Sequence, residues 1–305
     1  MFEIYILLFI TTHFVNTKEV ERGFYNEYIV PRVVNGYAAK HGDVPYQVAF
    51  KMRTPRRKLC MTFCGGVIIS PTKLLSAAHC FAEDPSICQK ICGNQGPKRT
   101  LSHTYAVAGN LRNYDAYSED SAEHGQWRTL KSVVYPRTYK FPKDDIAILY
   151  TSKPFHFNNN VRAIPIAKKY IDYHGKCLVS GYGRTSRQGT SDKLLLAHLH
   201  LLPNRQCGLR FRKNMRKFVC TDTVVNDVGK GDSGGPLVCS KTGDPNEGPN
   251  GVLVGIVSGN QRRAASFFTR VSYFARYIER NKWRMYLSPI CERYRCGRAG
   301  WEGFD

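Results

Sequence analysis

The 305-residue chain lacks several features that mark other classes of protein. After its first sixteen residues, no apolar stretch approaches the roughly 20 residues of a membrane-spanning helix. None of its eleven cysteines forms a CxxC pair of zinc-binding spacing, and the glycosylation motif N-x-[ST] does not occur. It also has no internal repeat and no basic-aromatic module of the nucleic-acid-binding kind. We therefore expect no membrane span, no bound metal or cofactor, and no DNA or RNA partner.

Acidic side chains are also few. The chain has 24 Asp and Glu against 45 Lys and Arg, a formal net charge of +21. Residues 1–32 hold three basic and four acidic side chains, so the remainder carries 42 minus 20, or +22. Such a surface attracts polyanions, acidic cell surfaces or acidic substrates, whereas the plainer interpretation is a set of solvated faces. Both interpretations stay open for three basic clusters: Lys51, Arg53, Arg56, Arg57 and Lys58; Arg210, Arg212, Lys213, Arg216 and Lys217; and Arg262, Arg263, Arg276, Arg280, Lys282 and Arg284.

The N-terminal residues predict a secretory signal peptide over residues 1–17. The apolar run Ile4–Ile10 has the length of a signal-peptide core and is too short to span a membrane. A buried N-terminal element is the alternative. The cysteine content favours an oxidising compartment, because a reducing cytosol would keep the side chains as thiols. We therefore expect a secreted, extracellular protein, and a monomer.

Short β-branched and aromatic runs dominate the chain, and helical periodicity is scarce. Turns rich in Gly, Pro, Asn and Asp separate the runs, which predicts an all-β barrel or sandwich. A helix is predicted over Val271–Lys282, where Phe274, Tyr277 and Ile278 share one face. The predicted strands include Tyr46–Phe50, Gly66–Ser70, Tyr105–Ala108, Ile146–Tyr150, Cys177–Ser180 and Val252–Val257.

The most informative segment is Gly231-Asp232-Ser233-Gly234-Gly235-Pro236. A serine hydroxyl is a weak nucleophile until its surroundings supply a base and an anion site. The glycines let the backbone turn sharply, so that amides can face the oxygen of a tetrahedral intermediate. Upstream stand Ser76-Ala77-Ala78-His79-Cys80 and Asp145-Ile146-Ala147-Ile148-Leu149, which give the chain order His, Asp, Ser.

That order and those three contexts closely resemble the trypsin/chymotrypsin family of serine proteases. The resemblance covers about residues 33–283. It implies two six-stranded antiparallel barrels with a C-terminal helix, in a protease domain over residues 33–286 followed by a tail over residues 287–305. Further matching segments are Val33-Val34-Asn35-Gly36, Val44-Pro45-Tyr46-Gln47-Val48, Cys64-Gly65-Gly66, Cys177-Leu178-Val179-Ser180-Gly181 and the final helix.

The resemblance implies a role for each residue of a catalytic site. Ser233 is expected to attack the scissile carbonyl, with His79 as general base and Asp145 holding the histidine tautomer. Ser258 is expected to donate a hydrogen bond to Asp145. The amides of Gly231 and Ser233 are expected to form the oxyanion hole, worth about 2.7–4 kcal/mol per donor.

The resemblance also implies activation by proteolysis. Arg32 precedes Val33 where an activating protease could cut. Residues 18–32 would be the activation propeptide, and because they contain no cysteine, no disulfide would hold them to the rest of the protein after the cut. The freed amine of Val33 is expected to pair with Asp232 and so order the oxyanion loop. Removing one partner of such a buried pair typically costs about 3–5 kcal/mol.

Matched positions imply three disulfides, Cys64–Cys80, Cys177–Cys239 and Cys207–Cys220, each expected to stabilise the fold by about 2–4 kcal/mol. Cys291 and Cys296 are candidates for a local fourth bridge. Three cysteines then remain, namely Cys60, Cys88 and Cys92. Cys60 is able to pair with either of the others, which leaves one thiol free or intermolecular.

The specificity pocket departs from the family pattern. Asp227 lies six positions before Ser233 and, by resemblance to trypsin, implies cleavage after Arg or Lys. A buried, occluded Asp227 is the alternative. Gly229 stands where a half-cystine is usual, and residues 258–269 contain no cysteine to pair with it.

Other departures narrow the expected substrate range. Gly259 replaces a usual aromatic residue, while Asn260 and Ser266 replace glycines, and their side chains are expected to narrow the pocket. The connection Phe81–Ala108 is longer by roughly 18 residues than in a minimal trypsin, and an insertion beside the histidine favours restricted specificity.

Two acidic features are interpreted as solvent-facing. Asp144 precedes Asp145 but is not itself followed by the Ile-Ala-Ile-Leu run, so we interpret it as a solvated loop carboxylate. Glu119, Asp120 and Glu123 lie near the family's calcium loop, but their spacing does not match it, and a solvated acidic turn is the preferred interpretation.

The leading hypothesis is a secreted endopeptidase of restricted specificity that acts on a protein substrate. The alternative is a catalytically weak homologue that serves as a binding or regulatory protein. Retention of all three catalytic residue types favours the enzyme. An esterase of another fold is disfavoured, because such enzymes place the serine before the histidine.

Overall fold

The structure of the chain is a computed structural model that describes residues 36–53, 59–82, 101, 104–118, 120–186, 189–222, 228, 231–261 and 265–281. Within these residues lie sixteen strands, a 3₁₀ turn at Ala78–Cys80, and the helices α1 (Asn204–Phe211) and α2 (Val271–Arg280). The strands are β1 (Tyr37–Ala38), β2 (Gln47–Arg53), β3 (Leu59–Ile68), β4 (Lys73–Ser76), β5 (Thr104–Ala108), β6 (Tyr114–Ala116), β7 (Gln126–Val134), β8 (Ala147–Thr151), β9 (Lys176–Gly181), β10 (Arg184–Ser186), β11 (Gly189–Thr190), β12 (Leu195–Leu202), β13 (Phe218–Thr221), β14 (Pro236–Cys239), β15 (Val252–Gln261) and β16 (Ala265–Arg270).

The first six-stranded antiparallel barrel has the order β2-β5-β7-β8-β4-β3 and closes where β3 pairs back to β2, with β6 alongside β3. Strand β2 shows the closure residue by residue, because Val48 lies opposite Gly66 on one side and Ala108 on the other. All five residues of β8 are buried. A strand that is apolar on both faces is expected where both faces are covered by other elements.

The second barrel has the order β12-β13-β16-β15-β14-β9 and closes where β9 pairs with β12, with β1 alongside β12. One hydrophobic cluster runs through both barrels and includes Leu75 and Ile148 of the first and Val238 and Ile256 of the second. Burying each aliphatic side chain of this size contributes about 1.5–3 kcal/mol. The predicted fold, two six-stranded antiparallel barrels with a C-terminal helix, is thus confirmed.

Hydrogen bonds donated by side chains of the second barrel hold it against the first. The hydroxyl of Ser180 donates to Oε1 of Gln47 at 2.6 Å, and the hydroxyl of Tyr182 donates to the carbonyl of Asn110 at 2.6 Å. All four residues are buried. Since a buried polar group without a partner is costly, these bonds restrict how far the barrels can shift.

The two helices differ in how far the sequence predicts them. Helix α2 was predicted two residues longer than it is, and it buries Val271, Phe274 and Ile278 at helical spacing. Helix α1 was not predicted, because Cys207 is its one buried residue and so no apolar stripe marks it. Neither helix of the described chain has the length and apolar character to cross a membrane.

The structure contains the three disulfides implied by the resemblance, Cys64–Cys80, Cys177–Cys239 and Cys207–Cys220. Cys60 was expected to be able to pair with Cys88 or Cys92. It is instead a free thiol, buried beside Trp127 and Val107. Cys88, Cys92, Cys291 and Cys296 lie outside the described residues.

Lys51 corrects the interpretation of the first basic cluster as a surface. Its side chain is fully buried, and its ammonium donates to the carbonyl of Arg112 at 2.8 Å. Burial lowers the pKa of Lys51 to about 8, since a charged ammonium is disfavoured away from water. The lysine lies in β2, and its ammonium lies 5.4 Å from the centroid of the Trp127 ring, which is contributed by β7 and has no local signal near Lys51.

The acidic turn is exposed at Asp120 and Glu123, and both of these carboxylates also form ion pairs. Asp120 bonds the buried guanidinium of Arg128 at 2.8 Å, and this contact helps lower the pKa of Asp120. Glu123 pairs with Arg112 on the surface. Glu119 lies outside the described residues. Two of the three acidic residues therefore serve local ion pairs.

Candidate active site

His79 and Asp145 are brought together at the junction of the two barrels. The histidine lies on the 3₁₀ turn after β4, and the aspartate lies two residues before β8, which pairs with β4. Nδ1 of His79 is 2.8 Å from Oδ2 of Asp145, and the backbone N–H of His79 donates to Oδ1 at 2.9 Å. Both carboxylate oxygens thus hold the same residue, which fixes the imidazole and leaves Nε2 to face outward.

The second barrel completes the support of Asp145. The hydroxyl of Ser258, in β15, donates to Oδ2 of the aspartate at 2.5 Å, and Thr269, in β16, donates to its backbone carbonyl at 2.7 Å. Asp145 is fully buried. The bond from Ser258 satisfies an oxygen of the buried carboxylate, and the bond from Thr269 holds the backbone that carries it.

The electrostatics of His79 follow from this setting. Burial of the imidazole favours its neutral form, but the charge and the hydrogen bond of Asp145 outweigh burial and raise the pKa of His79 above its ordinary value. The side chain of His79 is 25% exposed. The imidazole is therefore a base that a bound molecule can reach.

Ser233 lies in a tight turn beside this pair. The N–H of Gly65 donates to the carbonyl of Ser233 at 2.7 Å, and Sγ of Cys80 is 3.9 Å from the same oxygen. Gly231 and Gly234 have φ of +110° and +79°, which side chains rarely adopt. The turn thus places Ser233 next to Cys80, which directly follows His79 in the chain.

Asp232 points the other way, into the second barrel. It is fully buried, and Oδ1 accepts the N–H of Gly183 at 2.7 Å. Its carboxylate lies so close to Gly181 and Gly183 that a Cβ at either position would come within 2.2 Å of it. Arg32 and Val33 lie outside the described residues, so their expected pairing with Asp232 stays a prediction.

The predicted specificity residues are brought together only in part. Asn260 and Ser266 lie directly opposite each other across β15 and β16, and both are buried. Asp227 and Gly229 lie outside the described residues, as does most of the insertion after His79. The expected narrowing of the pocket stays a prediction.

Phe141 is a cleft residue that sequence reasoning missed. Its ring meets the His79 ring edge-on, with centroids 5.5 Å apart. The same ring approaches Gly259, where an added Cβ would be 3.5 Å from it and 2.9 Å from Phe267. The signal available in the sequence was Gly259 itself, because a missing aromatic side chain leaves space that another ring must fill.

Asp144 corrects a second interpretation. It is buried, its carboxylate accepts from Nζ of Lys217 at 2.6 Å and from the hydroxyl of Thr138 at 2.7 Å, and its φ is +54°. It is therefore a structural anchor for the loop before Asp145. The local sequence could not predict this ion pair, because Lys217 is 73 residues away from Asp144 in the chain.

One cluster of metal-ligand residue types lies at the site. The donor atoms of Cys64, His79 and Cys80 fall within 4.8 Å of one another. Both sulfurs, however, belong to the Cys64–Cys80 disulfide. Since a metal needs a thiolate sulfur, this group is not a metal site.

Comparison with known proteins agrees with this architecture. Residues 33–278 match the family model described as Trypsin. Submandibular glandular kallikrein-9 and tonin, both from Rattus norvegicus, are each 28% identical to the chain over 260 residues, covering 83% of this chain and 88% of each relative. The chain belongs to the trypsin family of serine proteases.

Proposed function

We propose that this protein is a secreted serine endopeptidase that hydrolyses peptide bonds of protein substrates through an acyl-enzyme. The observation that carries the proposal is the bonded series Ser258–Asp145–His79, which ends beside the turn that holds Ser233. Three disulfides support an oxidising, extracellular location.

The proposed reaction needs no cofactor. Nε2 of His79 takes the hydroxyl proton of Ser233 while Oγ attacks the scissile carbonyl, and the amides of Gly231 and Ser233 bind the oxyanion. His79 then gives the proton to the leaving amine as the C–N bond breaks, which leaves an ester on Ser233. A water molecule repeats the sequence on the ester: His79 takes its proton, the acid product leaves, and the proton returns to Oγ.

We propose that the enzyme is made as a zymogen. An activating protease cuts after Arg32, residues 18–32 leave, and the new amine of Val33 pairs with Asp232. The buried, amide-bonded carboxylate of Asp232 supports this step, because it would bind an ammonium strongly and because Ser233 follows it directly.

We also propose that cleavage follows Arg or Lys, with restricted specificity. Asp227 supports the basic preference by its position six residues before Ser233. The buried pair Asn260 and Ser266 supports the restriction, since side chains there take space from a bound residue. The exposed basic side chains Arg212, Arg276 and Arg280 support contact with polyanions or acidic surfaces.

A fluorophosphonate probe tests the proposed activity. The full chain, cut after Arg32, should form a covalent adduct at Ser233, because the probe requires an activated serine. Ser233→Ala should not be labelled, whereas Ser240→Ala, which changes an exposed serine elsewhere, should be labelled normally. Arg32→Gln should yield a secreted but inactive precursor.

Two outcomes would contradict the proposal. Absence of labelling in the cut wild type would favour a binding protein on a protease scaffold. Full activity of purified Arg32→Gln would remove the zymogen. Cleavage of a peptide library would then decide specificity, and products ending evenly in small, apolar and basic residues would exclude a role for Asp227.

A further inference from the structure

A groove of about 630 Å³ opens on the surface beside, but outside, the catalytic residues. Three separate parts of the chain form it: the loop before Asp145, the end of α1 with the segment that leads into β13, and the start of α2 with β16. Its size is that of pockets that bind ligands. Apolar groups line it, namely Pro142, Phe211, Met215, Phe218, Phe267 and Tyr273.

The rim of this groove is positively charged. Lys143, Lys213 and Arg216 are exposed, and Lys217 is half-buried. Asp144 pairs with Lys217, and the exposed Lys143 and Arg216 add two further positive charges to the rim. Among the described residues that line the groove there is no Asp or Glu. The rim therefore attracts acidic groups, and Pro142, Phe211 and Tyr273 expose apolar surface in the same groove.

The groove is continuous with the catalytic cleft. Pro142 follows Phe141, whose ring contacts His79. Phe267, on the groove floor, lies against Gly259 of β15. The Phe141 ring centroid is 5.5 Å from that of His79, a distance that an extended peptide covers in about two residues at roughly 3.3 Å each.

We propose that this groove binds an acidic segment of the protein substrate in which an apolar side chain stands between acidic residues. The inference rests on the proposed function and names the substrate class that the same cleft selects. A sulfated glycan would satisfy the cations but would leave the exposed apolar surface of Phe211 and Tyr273 in water. A peptide satisfies both, since its carboxylates meet the rim and its apolar side chain covers the floor.

Binding is measured first on the Ser233→Ala protein, cut after Arg32, so that the result does not depend on catalysis. Fluorescence anisotropy compares a peptide bearing Asp-Phe-Glu with matched peptides bearing Asn-Phe-Gln or Asp-Gly-Glu. We expect the first to bind most tightly and to weaken with added salt. Lys143→Gln with Arg216→Gln should weaken its binding by about 2- to 30-fold, the range that two exposed ion pairs span.

Control variants distinguish loss of the groove from a general loss of positive charge and from unfolding. Lys153→Gln with Lys176→Gln makes the same charge change at exposed positions away from the groove and should leave peptide binding unchanged. Phe211→Ala should remove the advantage of Asp-Phe-Glu over Asp-Gly-Glu, with thermal melting as the check on folding. On active enzyme, the ratio of kcat/KM between Asp-Phe-Glu and Asn-Phe-Gln substrates should fall in the groove variant.

Specific results would overturn the proposal. Equal binding of all three peptides removes the groove as a substrate site. Binding of a heparin-like oligosaccharide that the groove variant loses, with no peptide preference, makes it a glycan site instead. Absence of catalysis with the binding pattern intact would contradict the proposed function and leave an acidic-peptide groove, so the two failures are distinct.

Discussion

Gly183 lies against the carboxylate of Asp232, so a methyl group at this position tests how the nucleophile is held. A Cβ on Gly183 would lie 2.2 Å from Oδ2 and 2.6 Å from Cγ of Asp232, whereas ordinary contacts begin near 3.4 Å. The carboxylate would have to move by 3.4 minus 2.2, or about 1.2 Å. Such overpacking typically costs about 1–3 kcal/mol, which a domain of this size survives.

The displacement of Asp232 should also displace Ser233, the proposed nucleophile. Asp232 directly precedes Ser233, and its carbonyl accepts the N–H of Gly235 at 2.9 Å, so the turn moves as a unit. Misplacement of a reacting group by about 1 Å costs roughly 10²-fold, and loss of an oxyanion donor costs about 10²–10³-fold. For Gly183→Ala we therefore expect kcat/KM to fall by about 10²–10³-fold in a protein that still folds.

Three measurements on the enzyme cut after Arg32 test this prediction. Peptide hydrolysis gives kcat/KM, the rate of fluorophosphonate labelling gives the reactivity of Ser233, and Tm shows whether the variant still folds. Gly189→Ala is the matched control, because a Cβ there meets nothing within 4 Å. Activity of Gly183→Ala within twofold of Gly189→Ala would refute the reasoning, since the carboxylate would then have room that the structure does not give it.

Two further predictions follow from the charges around the site. Because Asp145 raises the pKa of His79, and because only neutral imidazole accepts the serine proton, kcat/KM should fall as pH drops through a value above 6.5; an acid limb below 6.5 would contradict this. Asp144→Asn breaks the pair with Lys217 and should cost about 1–2 kcal/mol in urea unfolding, less than a fully buried pair because the lysine is 31% exposed. Glu279→Gln, which breaks the exposed pair with Lys168, should lower the free energy of unfolding less than Asp144→Asn does, and equal losses would show that burial of Asp144 is unimportant.

Much of the candidate site could be predicted from the sequence, because its chemistry is written in short local contexts. The turn around Ser233, the histidine after two alanines and the aspartate before an apolar run are each continuous in the sequence, and the turn contains glycines at positive φ. Order along the chain and resemblance then identified the fold and three disulfides. The choice of Asp145 over Asp144 also came from sequence, since the run after Asp145 is the one that forms β8.

Only the tertiary structure decided which charged and apolar side chains share a surface. Lys51 belongs to a basic run, yet barrel closure puts it inside, and Asp144 is anchored by a lysine 73 residues further on. The groove assembles Lys143, Arg216 and Tyr273 from three distant stretches. The spacing of hydrophobic residues in the sequence indicates which face of a strand is apolar. Whether a side chain on that strand is buried depends on which other strands and loops pack over it. That covering is set by pairing across the barrels, which acts between residues with no local signature in the chain.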